Sequence, residues 1–290
     1  MVWEMPRRRP VDSPKPRSEI RRMSQGEILC VGEVLWDSLP AGLFLGGAPF
    51  NVACHLNRSG ARATMVSRVG SDRLGEEAVR RGAGYGVATD LIQVDDALPT
   101  GFVRATVDEA GEAHYEILSP AAWDAIEITS HLVARAEQAR AIVFGTLAQR
   151  DARSRSTIER LWRGDALKVC DVNLRPPFDD RAIVRRSLEH SDVVKVSREE
   201  LKRLAAWFQL PAGEHAAVVQ IARDFECDVV CVTRGIDGAA LWRNEEWTSE
   251  AMLTAFSSSS TRSAVQSSPR MSPRILAWGS APFTWLAIGC

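Results

Sequence analysis

Long apolar runs are missing from this 290-residue sequence, and so is any marked excess of charge. No apolar segment reaches the roughly 18 residues that a transmembrane helix needs, so no membrane span is expected. The net charge of -1 gives no electrostatic reason to expect nucleic acid or an anionic membrane as a partner. A small molecule or another protein is therefore the expected partner.

Cysteine and histidine form no recognisable metal or nucleophile motif. Several of the six cysteines lie in strand-like apolar runs such as ILCVG and VVCVT, which is typical of buried thiols in a reducing cytosol. Cys227 and Cys231 are four positions apart, but no histidine follows them at a zinc-ligand spacing. The dispersed histidines pair with no serine or cysteine in a nucleophile motif. These patterns indicate a cytoplasmic protein without a disulfide framework.

The amino-terminal residues lack the apolar periodicity of the rest. The first 22 residues hold seven lysines or arginines and four prolines, so residues 1–26 are predicted to be a disordered basic extension. No apolar core follows the basic residues, which excludes an ordinary signal peptide. A start codon placed upstream of the true one at Met23 is the simplest explanation, and a targeting function is the alternative.

From residue 27 the chain alternates short apolar runs with amphipathic stretches. The predicted strands are 28–32, 64–70, 141–145, 167–173, 193–197 and 229–235. The predicted helices lie near 50–58, 73–83, 153–163, 179–190, 198–208 and 215–226. Apolar strands joined by helices predict a mostly parallel sheet covered on both faces, a three-layer α/β/α sandwich that binds its ligand at the carboxyl ends of the strands.

Two stretches break this alternation. Residues 35–47 and 100–117 show period-two patterns with glycine-containing turns, which predict strands outside the main sheet. We expect them to form a small β lid within one domain over 27–250. The glycine-rich segment GAGYG (82–86) follows a helix where a dinucleotide loop would follow a strand, so it is interpreted as a helix C-terminal turn.

The segment GGAPFNVACHLNRSG (46–60) carries the strongest chemical signal. Gly46 and Gly47 allow close approach of the backbone to a ligand, and Asn51 offers an amide that both donates and accepts. Upstream, GEVLWD (32–37) supplies Asp37, whose carboxylate could bind two hydroxyls. Asp37, this glycine segment and SRVGSDRLG (67–75) resemble the amino-terminal pattern of the ribokinase-like PfkB carbohydrate kinases, and most closely their fructokinase-like branch.

Further segments match that family in order along the chain: PTGFV (99–103), PAAWD (120–124), FGTLAQR (144–150), DVNLRPPF (171–178), VVKVSREEL (193–201) and VTRGIDGA (232–239). Asp171, Asn173 and Arg175 are expected to alternate along the end of a strand, so that Asn173 and Arg175 face different sides of the cleft mouth. The resemblance implies sugar or phosphoryl contact for Arg175, and a salt bridge to a neighbouring acid is the alternative.

The resemblance also implies the residues of the two half-sites. The expected sugar-binding residues are Asp37, Gly46, Gly47, Asn51, Asn173 and Arg175. The expected residues on the side of ATP and its Mg²⁺ are Lys195, Ser197, Glu200, Thr233, Gly235 and Gly238, with Glu200 as the metal residue. Serine at 197 replaces the asparagine of the family, which weakens the magnesium assignment. A plain β-turn explains TRGIDG as the alternative to phosphate binding.

The family's catalytic segment, Asp-Thr-Val-Gly-Ala-Gly-Asp, does not occur in this sequence. No aspartate follows Asp237, and no acidic residue follows Glu250. The Ser-rich residues 251–290 are interpreted as a frameshifted or truncated end, and a regulatory tail is the alternative. No catalytic residue is therefore assigned, and whether the chain is an enzyme stays open.

The function expected from the resemblance is ATP-dependent phosphorylation of a sugar hydroxyl, most readily that of fructose, in a catalytically impaired chain. A non-catalytic sugar-binding fragment is the first alternative. A kinase of another sugar, of a keto-sugar acid or of a nucleoside is the second. A homodimer formed through the lid is a further expectation.

Overall fold

The computed structural model describes residues 26–39, 42–107 and 113–250. Most of the predicted basic extension and all of the Ser-rich tail at 251–290 lie outside these ranges. Both interpretations therefore stay predictions.

Strands and helices alternate along the described residues, as the apolar pattern predicts. The strands are β1 (Ile28–Val31), β2 (Leu35–Leu39), β3 (Gly42–Gly46), β4 (Ala63–Gly70), β5 (Ala88–Asp95), β6 (Gly101–Val107), β7 (Ala113–Ile117), β8 (Ala141–Gly145), β9 (Leu167–Asp171), β10 (Val193–Ser197), β11 (Val229–Thr233), β12 (Ala239–Arg243) and β13 (Glu246–Glu250). The α-helices are α1 (Ala48–Arg58), α2 (Arg73–Gly84), α3 (Ser130–Gln138), α4 (Ala152–Leu161), α5 (Arg181–Glu189), α6 (Arg198–Phe208) and α7 (Glu214–Asp224).

The main sheet contains nine strands in the order β13-β12-β11-β10-β9-β8-β1-β4-β5. Pairing from β5 to β11 is parallel, and β12 and β13 add an antiparallel edge. Because parallel strands need crossover connections, a helix follows most of them. The carboxyl ends of β1, β8, β9, β10 and β11 consequently lie side by side.

Side chains on the two faces of this sheet feed two apolar clusters, because successive residues of a strand point to opposite faces. Leu29 and Val31 of β1 belong to one cluster, and Cys30 belongs to the other. Helices α3 to α7 contribute to the first cluster, while α1 and α2 contribute to the second. The three-layer α/β/α fold is thereby confirmed.

A second sheet of four strands has the order β3-β2-β6-β7. Strands β2 and β6 pair in parallel, Leu35 beside Gly101, and the outer strands are antiparallel to them. The two stretches predicted as the small β lid therefore do pair with each other. Of the helices in the described ranges, none is long and apolar enough to cross a bilayer.

Two predicted strands extend two residues too far. The strand predicted at 229–235 ends at Thr233. Strand β9 ends at Asp171, two residues before its predicted end, because Asn173 has a φ of 42° and so leaves the extended region. The strand-like alternation expected for Asp171, Asn173 and Arg175 is therefore wrong. Residues 172–175 form an irregular segment at the carboxyl edge of the sheet, and a turn from Arg175 to Phe178 follows.

Candidate active site

The Gly46–Gly47 pair lies against the segment that joins the two sheets. Gly47 has a φ of 114°, and a Cβ atom placed on it would lie 2.2 Å from the backbone oxygen of Glu33. Only glycine tolerates both conditions without strain. Gly47 also precedes α1, so this close contact fixes where that helix begins.

Asp37 lies over the other glycine. A Cβ atom at Gly46 would lie 2.6 Å from Oδ2 of Asp37, so the carboxylate occupies the space that a side chain would take. Burial raises the pKa of the half-buried Asp37, and the charge of Arg175 acts in the opposite direction. Asp37, Gly46 and Arg175 therefore share one neighbourhood, although they come from strands β2 and β3 and the turn after β9.

Arg175 is exposed and donates a hydrogen bond from Nη1 to the backbone oxygen of Leu174 at 2.9 Å. Among the described residues no carboxylate lies within ion-pair distance of its guanidinium. Asn51 has an exposed side chain in the first turn of α1, and its backbone N–H donates to the oxygen of Gly47 at 2.9 Å. Both side chains are thus accessible from solvent.

Sequence analysis did not single out Glu33, which is almost completely buried at this point. Its Oε1 accepts a hydrogen bond from the backbone N–H of Ala48 at 3.1 Å, while its buried Oε2 has no partner among the described residues. Burial raises the pKa of Glu33 to about 7. Hydrogen bonds and Arg175 oppose the rise, and Asp171 adds to it. An acidic residue directly after a buried strand was the available signal.

Glu200 connects the turn after β9 to the start of α6. Its Oε1 accepts from the backbone N–H of Leu174 at 2.7 Å, and its Oε2 accepts from the backbone N–H of Ser197 at 2.7 Å. The Ser197 hydroxyl accepts in turn from the N–H of Glu200 at 3.2 Å, which completes a capping box. Glu200 therefore positions Asn173, which is buried one residue before Leu174.

Lys195 is buried in the main sheet and paired with Asp171. Its Nζ lies 3.0 Å and 3.1 Å from the two carboxylate oxygens, across the parallel pair of β10 and β9. Burial raises the pKa of Asp171, and the charge of Lys195 counteracts that rise. The ammonium group of Lys195 thus forms an ion pair with Asp171. This pair lies between the expected sugar side and the expected nucleotide side.

The turn after β11 lies beside the start of α6. Thr233 is the register partner of Ser197, and Gly235 and Gly238 have φ values of 59° and 85°. The N–H of Arg234 donates to the oxygen of Gly238 at 2.8 Å and closes the turn. The residues expected on the nucleotide side therefore lie in two adjacent strands, β10 and β11, or in the segments that follow them.

The described residues hold no cluster of three or more histidines, cysteines or carboxylates that could bind a metal ion. Glu200 is a single carboxylate, and each of its oxygens keeps a lone pair beyond its bond to an amide. Magnesium in nucleotide sites commonly uses one or two carboxylates together with phosphate and water. Glu200 fits that role only when a phosphate supplies the remaining ligands.

A protein-family model described as pfkB family carbohydrate kinase matches residues 41–252. The chain belongs to this family. Fructokinase from Rhizobium leguminosarum bv. trifolii is 27% identical over 231 residues, covering 73% of this chain and 68% of that protein. Fructokinase from Vibrio alginolyticus is 29% identical over 215 residues, covering 71% of this chain and 67% of that protein. This PfkB chain thus spans about two thirds of these relatives.

Among solved structures, a fructokinase with bound ATP from Xylella fastidiosa superposes with a TM-score of 0.66 and 26% identity, covering 78% of this chain and 73% of that chain. The expected resemblance to PfkB kinases and their fructokinase-like branch is therefore confirmed. The roles expected for individual residues stay predictions.

Proposed function

We propose that this PfkB protein binds a sugar, most readily fructose, between Asp37, the Gly46–Gly47 loop and Arg175. The proposal rests on the contact of Asp37 with Gly46 and on the electrostatic interaction of Arg175 with the same carboxylate. A carboxylate accepts hydrogen bonds from two hydroxyls, and a guanidinium donates several. The fructokinase relatives support fructose as the sugar.

We further propose that ATP lies along the turn at Thr233–Gly238 and the capped start of α6, with Lys195 beneath both half-sites. Two glycines with positive φ let backbone N–H groups turn towards an anion. The related fructokinase with bound ATP supports ATP as the nucleotide. Magnesium would then reach Glu200 through water and the phosphates of the nucleotide.

The reaction proposed for the family site is transfer of the γ-phosphoryl group to a sugar hydroxyl, and the chain as given is proposed to perform it poorly. No acidic residue after Glu250 is available as the general base, and general-base catalysis is worth ~10²–10⁴-fold. The glycines that would present stabilising amides are missing with it, at a cost of roughly 10²–10³-fold for one such donor. Sugar binding without appreciable turnover is the expected behaviour.

A coupled assay of ADP release with fructose and magnesium, alongside calorimetry with fructose alone, tests both parts. We expect measurable fructose binding, weaker binding in Asp37→Asn, and turnover far below about 1 per second, the low end for kinases. Turnover near that value would refute the impairment. A folded protein with no affinity for fructose would refute the sugar assignment and favour another sugar, a keto-sugar acid or a nucleoside.

A homodimer through the four-stranded sheet is a separate proposal. Leu43 and Phe44 on β3 and Tyr115 on β7 are large exposed side chains on the outer strands of that sheet. Light scattering of the purified chain, compared with Phe44→Ser, tests it. A wild-type monomer at high concentration would rule it out.

A further inference from the structure

Arg150 is a nearly buried arginine just beyond the carboxyl end of β8, with 6% of its side chain exposed. Its Nε and Nη2 each donate to one oxygen of Asp124 at 2.8 Å, which gives a two-pronged ion pair with a carboxylate that is itself buried. The guanidinium carbon lies 3.9 Å from the ring centre of Trp123 and 4.4 Å from that of Phe178. The charged group is thus held between two aromatic faces.

Burying an arginine in this way is costly unless every donor is satisfied. Among the described residues its Nη1 has no hydrogen-bond acceptor, so the arrangement is not explained by stability alone. An apolar side chain between Trp123 and Phe178 would avoid that penalty only if the buried Asp124 were replaced as well. The planar guanidinium also contacts two separate segments of the chain, at Leu118 and at Phe178, which an apolar side chain could not join by hydrogen bonding.

The turn that carries Arg175 of the proposed sugar site and the end of β7 in the smaller sheet meet at this guanidinium. Nη2 also donates to the backbone oxygen of Leu118 at 2.9 Å, directly after the end of strand β7 in the smaller sheet. Phe178 belongs to the turn closed by its own N–H and the oxygen of Arg175 at 2.8 Å. Arg175 is the residue whose charge acts on Asp37 and Glu33.

We propose that Arg150 is a positioning residue that holds the Arg175 turn and the end of β7 in one fixed arrangement. The inference rests on the proposed sugar site, because the segments that it joins matter for binding only if that site takes a sugar. A lysine cannot replace the arginine, since it lacks the planar fork that bonds Asp124 and Leu118 while stacking on Phe178. The nucleotide side, at Thr233–Gly238, makes no hydrogen bond to this cluster.

The test compares Arg150→Lys with the wild type and with Arg135→Lys. Arg135 forms a similar fork with Glu27 and a bond to Asp90, but next to the amino end of β1, away from the proposed cleft. Calorimetry with D-fructose and with ATP gives two affinities for each protein. Hydrogen exchange without ligand follows residues 113–125 and 174–180.

We expect Arg150→Lys to weaken fructose binding at least about tenfold, the loss of one or more charged hydrogen bonds, with ATP affinity changed less than twofold. Exchange should rise in both segments. Arg135→Lys should change neither fructose affinity nor exchange there. Phe178→Leu, which keeps the fork and removes one stacking face, should give an intermediate loss of fructose affinity.

Unchanged fructose affinity in Arg150→Lys overturns the proposal. Equal weakening of fructose and ATP, matched by Arg135→Lys, also overturns it, because a general loss of stability would then explain the result. If the wild type does not bind fructose, the proposed function fails, and exchange still decides the coupling. Increased exchange in both segments supports the positioning role, and unchanged exchange rejects it.

Discussion

Replacing Glu33 by glutamine should remove a pH-dependent penalty on the folded state. Glu33 is buried where the two sheets join, and burial raises the pKa of its carboxyl group from 4.5 to about 7. Glutamine keeps an oxygen that can accept from the N–H of Ala48, but it carries no charge. The substitution therefore tests the ionisation and not the hydrogen bond.

The sign follows from where the proton is held. Between pH 4.5 and about 7 the unfolded chain has released the Glu33 proton while the folded protein keeps it. The free energy of unfolding therefore falls as the pH rises through that interval. Each tenfold change in the acid constant is worth about 1.4 kcal/mol, so the rise in pKa corresponds to roughly 3 kcal/mol above pH ~8. The free energy of unfolding of Glu33→Gln should not show this decrease with pH.

Urea unfolding of both proteins at pH 5, 6, 7 and 8 measures the difference. The advantage of Glu33→Gln over the wild type should grow by roughly 2–3 kcal/mol from pH 5 to pH 8. The amide nitrogen that replaces the unpartnered Oε2 adds a cost of about 1–3 kcal/mol that does not vary with pH. The slope with pH, and not the absolute stability, is therefore the quantity to compare.

Glu27→Gln provides a control of opposite sign. Burial raises the pKa of Glu27, but hydrogen bonds to Arg135 and Thr64 outweigh that effect and lower it overall. The charged form of Glu27 therefore stabilises the folded state. As the pH rises through the acidic range, the free energy of unfolding of Glu27→Gln should fall relative to that of the wild type. Parallel pH profiles for wild type and Glu33→Gln would refute the assigned burial of a protonated Glu33.

Three further predictions concern the same cleft. Gly47→Ala should destabilise the fold by at least about 2 kcal/mol in urea, because its Cβ would lie 2.2 Å from the backbone oxygen of Glu33 at a φ of 114°. Lys195→Met should cost about 3–5 kcal/mol in thermal unfolding by leaving Asp171 buried and unpaired, and adding Asp171→Leu should recover part of it. Asp37→Asn should lower fructose affinity by about tenfold without altering the melting temperature, since Asp37 is only half-buried.

The strands and helices of the core could be predicted because their patterns are local. Helix 198–208 matches its prediction to the residue, since a capping box at Ser197 and Glu200 marks its start. Strand β5 and helix α3 were not predicted, because each contains only two buried residues and so shows no regular apolar pattern. Local pattern therefore identifies an element only where burial is regular.

The candidate site was predicted less evenly. The Gly46–Gly47 loop and Asp37 stand close in sequence, and the register of β2 and β3 brings them together. The end of β9 was predicted wrongly because no local sequence pattern indicates the left-handed backbone conformation of Asn173. The backbone N–H of its neighbour Leu174 donates to Glu200, 26 positions away. A hydrogen bond between segments so far apart cannot be predicted from the local sequence of either segment.

Under the proposed function, sugar binding and catalysis depend on different parts of this chain. Asp37, the glycine loop and Arg175 surround the proposed sugar site, and all precede residue 180. The resemblance to the family implies a general base beyond Glu250, where the sequence holds no acidic residue. Interactions that stabilise bound sugar and transition state equally lower the free energy of the complex without raising its rate of turnover. Intact sugar contacts are thus compatible with lost catalysis, and affinity and turnover must be measured separately.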